Sequence, residues 1–204
     1  MITIVDYGMG NLGSIANMIK KIGHYSEITS DISKIETASK IILPGVGSFD
    51  RAIKNLEDLG LVEVLKENVL QNKIPILGIC LGMQIMTKNS EEGEKNGLGL
   101  LDAYVQRFKY QEDRKLKIPH MGWNLVTQQK DNLLFKGMES ELRYYFVHSY
   151  HVVCNNVEDL LTTTNYGYDF VSSFATDNIF GVQFHPEKSH KFGMDLLKNF
   201  VEKF

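Results

Sequence analysis

Ile74-Pro75-Ile76-Leu77-Gly78-Ile79-Cys80-Leu81-Gly82 joins an apolar run directly to a Gly-x-Cys-x-Gly turn. An apolar run closed by such a turn predicts a strand over 74–79 and a helix starting after Cys80. A reactive side chain between a strand and a helix, bracketed by glycines, is the pattern of a nucleophile elbow. The chain bends so sharply there that neighbouring side chains would collide, so glycine stands two residues to either side. The bend lifts the Cys80 side chain over the sheet edge. It also sets the sulfur at a helix start, where backbone dipoles favour thiolate over thiol. A cysteine in an apolar strand is otherwise most often a small buried hydrophobe. Gly78 and Gly82 weigh against that reading, because glycine weakens a strand or helix interior.

Upstream of the elbow, strand-like and helix-like patterns alternate. Ile2 to Val5, Tyr25 to Thr29 and Lys40 to Leu43 read as strands, and 11–22, 49–58 and 61–71 as helices. Alternation of this kind implies parallel pairing with right-handed crossovers. Downstream, segments near 103–108, 122–127, 143–148, 150–154, 159–164, 169–174 and 178–184 are short, aromatic or β-branched. They predict antiparallel additions at the sheet edge. Phe192, Leu196, Leu197, Phe200, Val201 and Phe204 share one face of a C-terminal helix. The expected fold is α/β and flavodoxin-like, as one domain over 1–204, with helices flanking a mostly parallel sheet.

A net charge of -3 argues against nucleic acid or an acidic membrane as the main partner. No apolar run approaches membrane-spanning length, and Met1 to Asp6 reads as a strand rather than a leader. A reducing cytoplasm is the expected compartment, with Cys80 and Cys154 unpaired.

His185-Pro186-Glu187 supplies the groups that a cysteine nucleophile needs. Proline holds the residue before it extended. In an extended segment residues two apart project to one side, so the Glu187 carboxylate can reach the His185 ring. One ring nitrogen would take the thiol proton while the other donates to Glu187. The bland alternative is a turn with an exposed histidine. Pro44-Gly45-Val46-Gly47 follows a strand, and loops after parallel strands gather at one sheet edge. The amides of Gly45, Val46 and Gly47, with that of Leu81, are therefore the expected oxyanion donors.

Gly8-Met9-Gly10-Asn11-Leu12-Gly13 fits a dinucleotide-binding G-x-G-x-x-G, a rival that leaves Cys80 and His-Pro-Glu unexplained. The tract 119–124 carries the single tryptophan, Trp123, either as core or as an anchor on a partner surface. The histidines show no metal-ligand spacing, and Cys154 reads as packing.

Together these residues resemble the class I, triad-type glutamine amidotransferases, and within them the glutaminase subunits of imidazole glycerol phosphate synthase. The resemblance runs from Asp6-Tyr7-Gly8 to the C-terminal helix. It rests on Leu43-Pro44-Gly45-Val46-Gly47-Ser48-Phe49, Gly78-Ile79-Cys80-Leu81-Gly82-Met83-Gln84, Ser90-Glu91-Glu92-Gly93 and Tyr145-Phe146-Val147-His148-Ser149-Tyr150. Pro119-His120-Met121-Gly122-Trp123-Asn124 and His185-Pro186-Glu187-Lys188-Ser189 are the stretches specific to this subunit type.

The resemblance implies that Cys80 attacks the side-chain amide of L-glutamine, with His185 and Glu187 completing a triad and no cofactor or metal. It implies that Gln84 and Glu92, with Ser149 and Tyr150 backbone, hold the substrate's amino-acid end. It also implies that Asn11, His120, Trp123, Asn124, Tyr145 and Lys188 fall at the interface with a (β/α)8-barrel synthase subunit. That partner receives the ammonia and makes imidazole glycerol phosphate and AICAR in histidine biosynthesis. Ammonia in neutral water becomes mostly ammonium, which is no nucleophile, so a protected route to an acceptor is expected on physical grounds too. His190-Lys191-Phe192-Gly193-Met194 resembles instead a paralogous branch, whose barrel partners serve amidine formation on surface-polysaccharide sugars. A free-standing cysteine hydrolase and a non-catalytic interaction module are the remaining alternatives.

Overall fold

The computed structural model describes residues 1–109, 116–138 and 141–204. In the N-terminal half, β1 (Ile2–Val5), β2 (Ser26–Thr29), β3 (Lys40–Gly45) and β4 (Ile76–Cys80) pair in parallel in the order β2-β1-β3-β4. Every residue of β1 and β4 is buried, as continuous apolar runs covered on both faces should be. The crossovers carry α1 (Leu12–Lys21), α2 (Ile32–Glu36), α3 (Phe49–Asp58), α4 (Leu61–Lys66) and α5 (Leu81–Ile85). The short α2 has no counterpart in the periodicity; Asp31 caps it, accepting from the Ser33 amide at 2.9 Å. The helix expected over 61–71 keeps α geometry to Lys66 and continues as π-type turns over Glu67–Gln71.

The C-terminal half adds β5 (Ala103–Arg107), β6 (His120–Gln128), β7 (Leu142–His148), β8 (Tyr150–Cys154), β9 (Leu160–Asn165), β10 (Asp169–Thr176), β11 (Ile179–Val182) and α6 (His190–Lys203). Most of these strands are antiparallel, as expected. The last one is not. β11 lies beside β4 in parallel, with Gly181 opposite Gly78 and Val182 opposite Ile79. Its four residues are all buried, which suits a central strand rather than an edge. Gly181 is required there, since a Cβ would press within 2.6 Å of the Met83 and Phe174 side chains.

Helices α3 to α5 cover one face of the sheet through Phe49, Leu56, Leu61 and Met83. Helices α1 and α6 cover the other through Ile15, Ile19, Leu196 and Phe200. Burying these large side chains stabilises by roughly 1.5–3 kcal/mol each before chain entropy is counted. The insertion of β11 has the larger functional consequence. The segment following it, with His185, leaves the sheet at the edge where Cys80 leaves β4. Among the described residues no helix is long and apolar enough to cross a membrane.

Candidate active site

Cys80 ends β4 with φ 55° and ψ −111°, a left-handed conformation that a side chain adopts only under constraint. Such backbone strain costs on the order of 1–3 kcal/mol and persists where the surroundings over-determine it. Here α5 folds straight back over the strand. A Cβ on Gly78 would meet the Met83 backbone at 2.8 Å, and one on Gly82 would overlap the Leu43 carbonyl oxygen. Both bracketing glycines are thus demanded by close approach.

His185 is extended, with φ −103° and ψ 97°, ahead of Pro186. Its ring donates through Nδ1 to Glu187 Oε1 at 2.8 Å, and both side chains are 2% exposed or less. The backbone holds the ring in place. The His185 amide donates to the Tyr145 carbonyl at 2.9 Å, and the Ser189 hydroxyl donates to the His185 carbonyl at 2.6 Å. The Tyr145 amide in turn donates to that hydroxyl at 3.0 Å. His185 Nε2 is left on the side of the Cys80 sulfur, buried and without a hydrogen bond of good geometry. Burial alone would lower the His185 pKa. The adjacent Cys80 sulfur and the Glu187 carboxylate outweigh it and raise the pKa to about 10.

A cavity of about 290 Å³ opens onto the sulfur and His185. Gln84, Glu92, Ser149 and Tyr150 line it, together with Val46, Gly47 and Leu81. Gly45 does not line it. It is the last residue of β3, paired with Cys80 inside the ladder, so of the expected oxyanion amides it is the one withdrawn from the cavity. Glu92 Oε2 accepts from the Phe49 amide at 3.0 Å, and burial raises its pKa, with the Asp50 charge adding to the rise. Gln84 is buried and donates to the Tyr150 carbonyl and to Gln183 Oε1, each at 3.0 Å.

Two contributors lie outside the expected set. Gln183 is fully buried and its Nε2 approaches the Cys80 sulfur at 3.7 Å. It stands two residues before His185, so the parity that aligned His185 with Glu187 could have marked it. Tyr7, also buried, donates to the Pro44 carbonyl at 2.5 Å and ties β1 to the strand that leads into Val46 and Gly47.

The expected partner face divides. Met121, Trp123 and Leu125 alternate outward along β6 and are each about half exposed or more, an unpaired apolar stripe. Trp123 stacks on His190 at 5.6 Å and meets Tyr145 edge-on at 6.5 Å, while the Lys188 ammonium lies 5.6 Å over the Tyr145 ring. Asn11 is exposed at the start of α1. His120 and Asn124 do not belong to that face. His120 is 3% exposed, and the Asn124 amide is committed inward to His120 and to the Asn165 carbonyl. Strand alternation explains this: even-numbered side chains of β6 near its start turn away from the stripe.

The Gly8–Gly13 loop has a packing explanation as well. A Cβ on Gly10 would touch Pro44 Cβ at 3.0 Å, whereas one on Gly13 would enter open space. A dinucleotide loop uses its third glycine for close helix packing, and that need is missing here. Cys154 is partly buried, and burial with the Asp159 charge pushes its thiol up to about 12, far from reactivity.

The class-I glutamine amidotransferase family is matched over residues 3–204. The chain is 53% identical to imidazole glycerol phosphate synthase subunit HisH 2 of Methanococcus maripaludis, covering 100% of both chains. It is 48% identical to the subunit of the same name from Pseudomonas aeruginosa, covering 99% of each. A glutamine amidotransferase structure from Thermotoga maritima superposes with a TM-score of 0.72 at 20% identity, over 99% of this chain and 96% of that one, a likeness of fold. With an elbow cysteine, a histidine held by a carboxylate and matches of this length, the chain belongs to the class-I glutamine amidotransferases, among their HisH-type subunits.

Proposed function

We propose that this chain is a glutaminase subunit that hydrolyses L-glutamine through a Cys80 thioester and delivers the ammonia to a (β/α)8-barrel synthase in histidine biosynthesis. The observation that carries the reading is the His185 ring, held by Glu187 at Nδ1 and turned with Nε2 toward the Cys80 sulfur.

The chemistry follows from that arrangement. Cys80 sulfur attacks the carboxamide carbon, with its proton on His185 Nε2. The amides of Val46, Gly47 and Leu81 are the groups in the cavity that can meet the developing oxyanion. His185 then passes its proton to the departing nitrogen, which leaves as ammonia and breaks the C–N bond. Water adds to the thioester, His185 takes its proton, and the C–S bond breaks to give glutamate and restore the thiol. Glu187 keeps the ring in one tautomer and favours the imidazolium throughout. Glu92 supplies a carboxylate for the substrate's ammonium group, and Gln84 with the Ser149–Tyr150 backbone supplies polar partners at the same end.

The stripe of Met121, Trp123 and Leu125, flanked by Tyr145 and Lys188, is the surface on which the barrel subunit docks. Both proteins act in the cytoplasm. A Cys80→Ala variant tests the assignment: glutamate release should vanish while the partner still binds, and full turnover without the sulfur would sink it.

A second reading keeps the chemistry and changes the acceptor. His190 stacks on Trp123, so the first residue of the segment 190–194 reaches the docking face. A barrel partner that makes amidines on polysaccharide sugars would read that difference. Purifying the barrel subunit that binds this chain, and assaying it with a phosphoribosyl or a nucleotide-sugar acceptor, separates the two.

A further inference from the structure

At the cavity wall lie two buried histidines that the reaction does not use: His148, which lines the cavity beside Ser149, and His120, packed against it. His120 and His148 face each other across β6 and β7, with His120 Nδ1 3.0 Å from His148 Nε2. His148 Nδ1 is 2.7 Å from the Tyr150 carbonyl, and His120 Nε2 is 3.2 Å from Asn124 Nδ2. The rings are sandwiched by aromatics: His120 stacks on Tyr166 at 4.1 Å and on Phe146 at 4.8 Å, and Phe108 packs 5.1 Å from His148. Burial holds both rings neutral at pH 7, lowering His120 to about 4 and His148 well below its ordinary value.

Neutral rings allow one proton arrangement only. A carbonyl oxygen only accepts, so His148 must carry its hydrogen on Nδ1. Its Nε2 is then bare and accepts from His120, which must carry its own hydrogen on Nδ1. His120 Nε2 is bare in turn and accepts from the Asn124 amide. The other Asn124 hydrogen goes to the Asn165 carbonyl at 2.9 Å, and Oδ1 accepts from the Leu125 amide at 2.8 Å, which fixes the orientation of that side chain. The relay therefore runs in one direction, from Asn124 to Tyr150. A second series meets it there from the other side. Gln84 Nε2 donates to the same carbonyl and to Gln183 Oε1, and Gln183 Nε2 reaches the Cys80 sulfur.

We propose that Asn124, His120 and His148 are positioning residues: their one-way hydrogen-bond relay pins the Tyr150 carbonyl, and with it the Ser149–Tyr150 wall of the glutamine cavity, to the strand whose outer face carries Trp123. The inference rests on the glutaminase reading. It makes that wall and the docking strand a single mechanical element, so occupancy on either side bears on the other, and reciprocity requires the two effects to be equal.

Two measurements test it. In 15N-labelled wild-type protein at pH 7, one-bond and long-range 1H–15N couplings report which nitrogen of each ring carries hydrogen. Nδ1–H is expected at both His120 and His148, and Nε2–H at either overturns the relay. Binding of L-glutamine is then followed by calorimetry in Cys80→Ala, which cannot consume it. Adding His148→Leu should weaken binding on the order of 10-fold, as expected for a lost buried hydrogen bond that leaves its acceptor short. His148→Asn places an amide nitrogen where Nδ1 stood and should recover most of the loss. Equal affinity at all three side chains, or no recovery with asparagine, overturns the inference while leaving the glutaminase reading intact. A Cys80→Ala protein that binds no glutamine at all overturns both.

Discussion

Gly82 lies so close under Leu43 that a Cβ built on it would overlap the Leu43 carbonyl oxygen. That contact is where α5 crosses β3, and it holds Cys80 in its left-handed turn. Gly82→Ala should therefore cost the fold as well as the site, by roughly 1–3 kcal/mol for an overpacked position. For a chain of this size that is about 2–12 °C in Tm. Thermal unfolding checks it, and a variant as stable as the wild type would show that the elbow does not need this glycine.

Glu187→Gln retains the shape of the His185 partner but can present an N–H to Nδ1. The ring loses its fixed tautomer and its counter-charge. We expect kcat for glutamate release to fall by about 10²–10⁴-fold, with KM for glutamine little changed, because Glu187 is placed behind the ring rather than against the substrate. Steady-state kinetics decide it; a change confined to KM would move Glu187 out of the triad.

The buried rings make stability sensitive to acid. His120 and His151 are held down to about 4, both through burial, against an ordinary histidine value near 6.5. The unfolded chain then binds protons that the folded chain refuses, so stability is fully present above about 6.5 and is lost as pH falls toward 4. The expected slope is on the order of 1.4 kcal/mol per pH unit for each ring. Denaturant unfolding at pH 7, 6 and 5 measures it, and His151→Gln should flatten the curve by one ring's share. His185 has the opposite sign. Its raised pKa contributes stability below about 6.5 that fades as pH climbs toward about 10.

Trp123 is 47% exposed and packs mainly on His190 and Tyr145. Trp123→Ala should leave unfolding within about 0.5 kcal/mol of wild type. It should weaken docking of the barrel subunit by about 2 kcal/mol or more, the range of an interface anchor. Calorimetric titration against the purified partner reads the second effect. A large drop in Tm with unchanged docking would return Trp123 to the core.

Much of this architecture can be inferred from local chemistry. Gly78 and Gly82 announce the elbow because only a collision explains two glycines around one cysteine in an apolar run. Pro186 makes His185 extended, and that alone brings Glu187 to the same side. What local chemistry does not carry is which strand pairs with which. Ile179–Val182 reads the same as an edge strand or a central one, and its place beside β4 follows from packing of Gly181 against Met83 and Phe174. Parity with His185 marks the side on which Gln183 lies, but its contact with Cys80 follows only from the pairing of β11 with β4. The resemblance puts His120 on the partner surface, whereas stacking between Tyr166 and Phe146 buries it, and local chemistry does not foretell those neighbours. Gly45 was misplaced because β3 runs on past Leu43, through Pro44, into the ladder.

The elbow glycines answer to the polypeptide's shape, whereas the Cys80 sulfur, met by the fold through one long contact from Gln183, answers chiefly to the reaction. Descent without selection for turnover would therefore erode them unequally: the thiol could drift to serine or alanine at small expense, while Gly78 and Gly82 would persist in silent copies. Glycine bracketing is thus a mark of ancestry, and the sulfur a mark of present employment.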